Sequence, residues 1–389
     1  MDVSQLAAGP PVSADDGLDV PGGAFLRLAG VPVPVVSPAR VYVCGITPYD
    51  VTHLGHAATF VWADVVSSVL GLTGADVVTC RNVTDVDDVL TRAASDRGRF
   101  VDEFAVIQEF EFDRAMRALR VAAPTHLPRA SRYVGSVIQL ASALLQQDAA
   151  YERNGSVYFR GAGVPGRAGV PRELALALSA EYGDMPDDPL RDDPFDVPVW
   201  RPSSQGDPAW PSPWGVGRPG WHAECAAMAF SLLGGLIDLL VGGADLTFPH
   251  HAYQAAMVEA VTGAGRFSRA RMGVGTVSVA GAKMAKSTGN LVLVTDLLDA
   301  DVPAAAIRLL LLNRPWGRPW EFHPADLQAA VADLERFYAA AGRTGGSQAD
   351  VERVRDALLN DLDVPTALQV AQEAGGEAAR EVQRTLRLG

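Results

Sequence analysis

The spacing of apolar residues near the start of the chain predicts a strand, a helix and a second strand in succession. Residues 41–44 form a short apolar run typical of a buried strand, and residues 45–50 are typical of a turn. Helical periodicity extends over 53–72, and residues 76–83 have the composition of another strand. Strand, helix and strand within about forty residues predict a βαβ unit, which implies a parallel sheet.

The rest of the chain alternates helical patterns with an irregular stretch and further strands. The segment 161–220 is rich in Gly, Pro, Asp and Trp, and we expect an irregular insertion there. Residues 236–241 and 275–279 are expected to be buried strands. Helical periodicity is found at 102–120, 128–149, 292–313, 324–341, 350–360 and 364–386.

Together these elements predict an α/β fold with a doubly wound, Rossmann-like parallel sheet, an insertion, and an α-helical C-terminal domain. Residues 1–22 are rich in Ala, Gly, Pro, Ser and Asp, and we expect a disordered tail there. The catalytic domain is expected at 23–290 with its insertion at roughly 90–215, and the helical domain at 291–389.

Composition narrows the class of protein. Of the 389 residues, 48% are hydrophobic and 20% are charged, which excludes a wholly disordered or collagen-like chain. The longest apolar stretch, 226–241, is interrupted by Asp238 and two glycines, so no membrane span is expected. The N-terminus has no basic segment ahead of an apolar one, and we therefore expect a cytoplasmic protein with no membrane partner.

The charge balance disfavours nucleic acid as a partner. The formal net charge is −13, and residues 350–389 carry eight acidic residues against five arginines. Phosphate backbones are bound by Lys and Arg, so an acidic surface is a poor match for them. Three cysteines, Cys44, Cys80 and Cys225, are too few for a disulfide framework and are candidates for buried residues, metal ligands or reactive thiols.

Lysine is almost absent from this chain. Only Lys283 and Lys286 are lysines among 33 basic residues. If only chance had kept lysine at two positions of the chain, those positions would seldom lie three residues apart. Because an ammonium and a guanidinium bind phosphate differently, we infer that lysine is required at both positions.

The first candidate for chemistry is the motif His53-Leu54-Gly55-His56, which follows the first predicted strand and begins the first predicted helix. A helix N-terminus attracts phosphate through its free N–H groups and its dipole. Gly55 permits close approach to the backbone, and both imidazoles can donate to phosphate oxygens. The alternative is that one histidine only caps the helix and the other lies at the surface. The motif follows a strand, however, and so lies at the carboxyl edge of the sheet, where doubly wound folds bind ligands.

The second candidate is Lys283-Met284-Ala285-Lys286-Ser287, in a glycine-rich loop after a predicted strand. Two lysines at this spacing can hold the β- and γ-phosphates of a nucleotide as they leave. The alternative, a solvated pair of charges, does not explain the scarcity of lysine elsewhere.

These two motifs resemble the HIGH and KMSKS motifs of the class I aminoacyl-tRNA synthetases, whose catalytic domain is a Rossmann-like HUP fold. The segments 44–50, 82–88, 217–225 and 243–251 resemble the cysteinyl-tRNA synthetase group. Within that group, residues 47–59 look most like the cysteine ligases of mycothiol biosynthesis, which lack an anticodon-binding region. The resemblance spans roughly residues 24–370.

The resemblance implies one zinc ion per chain, with Cys44, Cys225 and His250 as its ligands. Two thiolates and one imidazole leave a fourth tetrahedral position, which the thiolate of substrate cysteine can fill. From spacing alone the two cysteines would be taken for buried thiols. We assign Cys80 to the core, and we expect His251 to contact either the metal ligand or the nucleotide.

The resemblance also implies an aminoacyl-adenylate pocket. Within it Asp245 would accept hydrogen bonds from the ribose hydroxyls, and the backbone of Val277 would contact adenine. Trp221 would line the pocket; the alternative for this residue is packing in the core. The implied pocket residues are Cys44, Gly45, Ile46, Thr47, Thr59, Asn82, Val83, Thr84, Trp221, Gly243, Ala244, Asp245 and Val277.

Several positions depart from the family pattern. Gln254 stands where the synthetases have a fourth, acidic zinc ligand, and Ala285 replaces the first serine of KMSKS. Tyr182, Gly273 and Val274 replace an Arg and a His-Thr pair of the mycothiol ligases. These changes leave the implied zinc ligands and phosphate-binding residues intact. They are therefore expected to affect recognition of the acceptor amine more than activation of cysteine.

The sequence thus predicts an ATP-dependent, amide-forming ligase that activates L-cysteine as cysteinyl-AMP and transfers it to glucosaminyl-inositol. His53, His56, Lys283 and Lys286 are the expected catalytic residues, and Mg²⁺ would accompany ATP. The alternatives are a paralogue acting on another small amine, a truncated cysteinyl-tRNA synthetase, and an inactive binding module. We expect a monomer.

Overall fold

The computed structural model describes residues 25–49, 51–204, 206–284 and 289–389. The expected disordered tail at 1–22 and the expected catalytic Lys286 lie outside the described residues. The strands are β1 Arg27–Leu28, β2 Val31–Pro32, β3 Ala39–Ile46, β4 Val77–Val83, β5 Ala150–Arg153, β6 Ser156–Phe159, β7 Val197–Pro202, β8 Gly217–Pro219, β9 Ile237–Gly243, β10 Ser268–Val274, β11 Val277–Val279, β12 Ala282–Lys283 and β13 Trp320–Glu321.

The helices are α1 Leu54–Gly71, α2 Asp88–Ser95, α3 Val101–Ala118, α4 Val134–Gln146, α5 Val164–Arg167, α6 Arg172–Glu181, α7 Trp221–Leu233, α8 Ala252–Thr262, α9 Val294–Asp299, α10 Ala304–Leu312, α11 Pro324–Ala341, α12 Gln348–Leu359, α13 Val364–Ala374 and α14 Gly376–Leu386.

A parallel sheet with the strand order β10-β9-β3-β4 forms the centre of the fold. The unit β3-α1-β4 confirms the predicted βαβ unit, and β9 confirms the predicted strand at 236–241. The pattern missed β10, because this edge strand carries mostly half-buried residues, two of them arginines, and shows no continuous apolar run. The strand predicted at 275–279 is the shorter β11, which pairs with β12 and β13 in a separate small sheet.

The central sheet is covered on both faces, as a doubly wound fold requires. Val41 and Val43 of β3 point into a core that α1 shares with the C-terminal helices. Tyr42 and Cys44, the alternate residues of the same strand, point into the opposite core with α4, α7 and α8. This alternation confirms the predicted α/β class.

The segment predicted as an irregular insertion, 161–220, contains regular structure. It includes α5, α6, β7 and β8, and the two strands complete an antiparallel sheet of order β5-β6-β7-β8. β7 has two prolines in six residues and β8 has only three residues, so neither shows the strand pattern in the sequence. Their pairing depends on the neighbouring β6, which lies outside the segment.

Two of the predicted C-terminal helices are each divided in two. The stretch 292–313 separates into α9 and α10 around Asp301, whose φ of +59° is left-handed, and 364–386 separates at Gly375 and Gly376. α10 and α14 pack on α1, so the C-terminal helices share its core. The domain boundary at 290 remains a prediction.

A buried ion pair joins these helices to α1. The Arg308 guanidinium contacts the Asp64 carboxylate and donates to the carbonyl oxygens of Leu386 at 2.6 Å and Leu119 at 2.9 Å. Asp64 also accepts from the Ala122 N–H at 2.9 Å. Helix α1 has the length and hydropathy of a membrane span, but 67% of that stretch is buried within the protein, as in a core helix.

Candidate active site

The carboxyl ends of β3, β4 and β9 bring the predicted pocket residues to one edge of the sheet, where doubly wound folds bind ligands. The Gly45 N–H donates to Oδ1 of Asn82 at 2.9 Å, and the hydroxyls of Thr47 and Thr84 are 2.7 Å apart. A Cβ atom at Gly45 would lie 1.7 Å from the Asn82 carbonyl oxygen. The contact between the two strand ends therefore requires glycine at this position.

His53 and His56 stand at the N-terminus of α1, where phosphate binding was predicted. His53 caps the helix by accepting from the Gly55 N–H at 3.1 Å, and its ring stacks on His56 at 3.9 Å. Burial, with His56 and Lys283 nearby, lowers the pKa of His53 to about 3. A neutral imidazole at this site binds an anion through N–H donation and not as a cation.

The loop that carries Lys283 lies against the same helix terminus. A Cβ atom at Gly55 would be 3.5 Å from Cε of Met284, so Met284 lies over the turn. The Lys283 ammonium contacts the Asp245 carboxylate at 2.5 Å. Burial alone would raise the pKa of Asp245, but Lys283 holds it below its usual value. The fold thus brings one of the two predicted lysines beside the HxGH motif.

Cys44, Cys225 and His250 form a buried cluster. Each offers one ligand atom, and these atoms all lie within 4.8 Å of one another. Burial raises the pKa of the Cys44 thiol and, with His222 and His251 nearby, lowers that of His250, so the imidazole is neutral and able to bind a metal. Two sulfurs and one imidazole nitrogen are a donor set that suits zinc with one position left for a substrate.

The three donors come from separate elements. Cys44 lies near the end of β3, Cys225 in the second turn of α7, and His250 in a π-helical turn that leads into α8. Nδ1 of His250 lies 2.9 Å from Nδ1 of His222, a contact that sets the orientation of the ring. Trp221, predicted for the pocket, stacks on His250 with 4.1 Å between ring centroids.

Gln254 lies directly beside the two cysteines and is fully buried. The Cys44 thiol donates to its Oε1 at 3.8 Å, and its Nε2 donates to the Cys225 carbonyl oxygen at 3.4 Å. The side chain therefore packs where the synthetases have an acidic ligand, but it brings no charge. Two thiolates with neutral Gln254 would balance a divalent zinc ion without a third anion.

The remaining predicted residues lie around this edge. Thr59 donates to the Gly55 carbonyl oxygen at 3.4 Å, and a Cβ atom at Gly243 would meet the Asp245 carboxylate at 2.4 Å. Cys80 is fully buried in the core, as expected for a residue outside the cluster. Val277 is buried in β11, which contacts α1; its expected contact with adenine remains a prediction.

Sequence reasoning missed three contacts of the site: the Lys283–Asp245 ion pair, the approach of His222 to His250, and the stacking of Tyr182 on Trp221. His222 is part of the quoted stretch 217–225 and could have been considered there. The other two join residues that lie 38 or more positions apart, and no local pattern indicates them.

The fold and this edge of the sheet define a nucleotide-dependent enzyme of the class I synthetase type. Residues 34–332 match the family model of the class I (C) tRNA synthetase catalytic domain, and the chain belongs to this family. Its fold is similar to that of methionyl-tRNA synthetase from Mycobacterium tuberculosis in complex with methionyl-adenylate, with a TM-score of 0.63 and 15% identity over 91% of this chain and 89% of that one.

Closer relatives are found among named ligases. The chain is 42% identical over 346 residues to the L-cysteine:1D-myo-inositol 2-amino-2-deoxy-alpha-D-glucopyranoside ligase of Mycolicibacterium vanbaalenii, covering 87% of this chain and 81% of that protein. It is also 42% identical over 351 residues to the ligase of the same name from Streptomyces coelicolor, covering 87% of this chain and 86% of that protein.

Proposed function

We propose that this protein is an ATP-dependent ligase that joins the carboxyl group of L-cysteine to the amine of glucosaminyl-inositol. The named ligases that it resembles over most of their length support both the reaction and this acceptor. The observation that carries the proposal is the shared location of two sites. The cluster of Cys44, Cys225 and His250, whose donor atoms suit zinc, and the helix terminus that carries His53 and His56 lie at one edge of the central sheet.

In the first step, the cysteine carboxylate attacks the α-phosphorus of ATP. A P–O bond to cysteine forms, the bond to pyrophosphate breaks, and cysteinyl-AMP results. His53 and His56 donate hydrogen bonds to the phosphates, and Lys283, with Lys286, stabilises the charge that develops on the leaving group. Mg²⁺ would accompany the ATP phosphates, as it does in phosphoryl-transfer enzymes generally.

Selection of cysteine is assigned to the cluster of Cys44, Cys225 and His250, which would hold one zinc ion. When bound, the ion would supply a Lewis-acidic position that suits the thiolate of cysteine and not the hydroxyl of serine. We assign to the Trp221 ring, which stacks on His250, the role of limiting the size of the side chain admitted beside the cluster.

In the second step, the neutral amine of the acceptor attacks the activated carbonyl. The C–N bond forms, the C–O bond to AMP breaks, and the amine loses a proton. We assign to Asp245, which pairs with Lys283, the contact with the ribose of the departing AMP. The nucleophile is the acceptor amine and not the cysteine thiol, so the product is an amide.

The test combines two assays on the purified protein. Cysteine-dependent ATP–pyrophosphate exchange reports the first step, and mass spectrometry of products from cysteine, ATP and glucosaminyl-inositol reports the second. We expect exchange with cysteine, an amide product with the amino sugar, and no labelled cysteine on tRNA. Label on tRNA at catalytic rates would indicate a synthetase, whereas exchange without an amide product would indicate a different amine. Absence of exchange would contradict an activating enzyme altogether.

A further inference from the structure

Tyr182 extends the aromatic surface of the metal cluster toward the nucleotide side of the site. It follows α6, and its ring stacks on Trp221 with 6.1 Å between centroids and 22° between planes. Trp221 in turn stacks on His250 at 4.1 Å. Three rings thus form one continuous stack that begins at a metal ligand and ends at Tyr182.

The hydroxyl group of Tyr182 lies at the other end of the site, beside the Asp245 carboxylate. Burial and the neighbouring Asp245 raise the pKa of this phenol above its ordinary value, so the hydroxyl keeps its proton. Among the described residues, the buried oxygen makes no hydrogen bond of good geometry, although the Asp245 carboxylate lies beside it as an acceptor. Buried polar groups are nearly always paired, so a hydroxyl without a well-formed bond can turn to a ligand.

The backbone holds Tyr182 in this position. Gly183 follows it with a φ of +79°, a conformation that glycine adopts without strain. Asp184 then makes two hydrogen bonds with Arg191, at 2.7 and 3.0 Å, and the Arg191 side chain is only 3% exposed. The turn after α6 is therefore anchored on both sides of the ring, and the ring is presented as a preformed surface.

The two walls of the site come from opposite faces of the sheet. His53 and His56 lie on α1, whose Leu54 belongs to one core, while Leu178 of α6 belongs to the other. The phosphates would occupy the α1 wall, and the activated carbonyl would lie between the metal cluster and Asp245. Tyr182 approaches from the insertion and links these two points, because its ring stacks on Trp221 beside the cluster and its hydroxyl lies beside Asp245.

We propose that Tyr182 determines which acceptor amine is used, by packing its ring against the pyranose ring of an amino sugar and donating its hydroxyl to a sugar oxygen. This inference rests on the function proposed above. An aromatic face suits the C–H groups of a sugar ring, and its phenol supplies one directional hydrogen bond.

The experiment separates the two steps in three variants. Tyr182→Phe removes only the hydroxyl, Tyr182→Ala removes the ring as well, and Tyr151→Phe is the matched control. Tyr151 lies in the same insertion and donates its hydroxyl to Asp196, away from the pocket. Steady-state ATP–pyrophosphate exchange measures activation, and single-turnover amide formation with varied glucosaminyl-inositol measures acceptor use. Circular dichroism and metal content check that each variant is folded.

For Tyr182→Ala we expect the acceptor KM to rise about tenfold or more, and by a clearly larger factor than the KM for ATP. Tyr182→Phe should raise the acceptor KM by about threefold with an unchanged maximal transfer rate, and Tyr151→Phe should match wild type in both assays. The Phe variant keeps the proposal testable if the Ala variant does not fold.

Two results would overturn the inference. In the first, both Tyr182 variants keep the wild-type acceptor KM. In the second, they raise the KM for ATP and leave acceptor KM unchanged, which would make Tyr182 a nucleotide contact. Failure of the proposed function would be seen separately, because the wild-type protein itself would then form no amide with glucosaminyl-inositol.

Discussion

The proposed role of Cys225 in the metal cluster can be tested against Cys80, a second buried cysteine that serves as a control. Cys225 and Cys80 are both buried, at 1% and 0% exposure, and both belong to the same core. Only Cys225 contributes a donor atom to the cluster with Cys44 and His250. The variants Cys225→Ala and Cys80→Ala therefore remove the same atom from the same core, and only the first removes a metal ligand.

The expected magnitudes follow from this difference. Loss of one buried sulfur costs about 1–2 kcal/mol of folding stability in either variant, as small core truncations do. Cys225→Ala also leaves two donors in place of three, and we expect metal content to fall from about one per chain to below about 0.1. Without the thiol-selective position, cysteine activation should fall at least about 10³-fold, which is about 4 kcal/mol of transition-state stabilisation.

Three measurements test the prediction: metal content by mass spectrometry, cysteine-dependent ATP–pyrophosphate exchange, and denaturant unfolding. Cys80→Ala should keep metal and exchange while losing a similar amount of stability. The wild-type protein should also activate serine at least about 10³-fold less well than cysteine. A Cys225→Ala variant with full metal content, or with exchange within about threefold of wild type, would refute the assignment.

Substitutions at three further positions test other parts of the site and its support. Asp64→Ala leaves Arg308 buried without its partner and should lower the free energy of unfolding by about 3–5 kcal/mol in denaturant titrations. Gly45→Ala places a methyl group against the Asn82 carbonyl and should reduce pyrophosphate exchange at least about tenfold. His53 has a pKa of about 3 and therefore stays neutral above about pH 5. His53→Asn, which keeps an N–H donor, should retain more exchange activity than His53→Ala. Neither variant should change the acid limb of the pH profile.

Each of these variants has a control or a contradicting result. Glu377→Ala breaks an exposed ion pair with Arg380 and should cost less than about 1 kcal/mol; an equal loss for Asp64→Ala would contradict the role of burial. Gly71→Ala, where a Cβ atom has no neighbour within 4 Å, should leave exchange unchanged. An acid limb near about pH 6.5 that disappears in His53→Asn would show that His53 titrates in the working range.

Local features of the site were predictable from the sequence. Three of these features depend only on residues that are neighbours in sequence: the apolar run of β3, the start of α1 at the HxGH motif, and the strand β4 that follows the helix. The scarcity of lysine pointed to the loop around Lys283, which the structure brings to the predicted helix terminus. The proposed metal ligands followed only from the family resemblance, because the spacing of Cys44 and Cys225 along the chain is uninformative.

Elements with weak local patterns required the tertiary structure. β10 is an edge strand with two arginines, and β7 and β8 are short or rich in proline, so partner strands and not composition decide their conformation. The divisions at Asp301 and at Gly375 interrupt stretches whose apolar periodicity continues across them. Periodicity reports which face is buried, but it does not report where the backbone changes direction.

The sequence by itself determined the class of fold, the start of α1 at the HxGH motif and the residues available for chemistry, because each depends on a few adjacent positions. Only the tertiary structure decided which of those residues meet: Lys283 with Asp245, and Tyr182 with Trp221. The first pair joins β12 to the turn after β9, and the second joins the turn after α6 to the start of α7. Their contact depends on strand order and on the face of the sheet from which each element approaches, and neither is encoded in the spacing of residues along one segment.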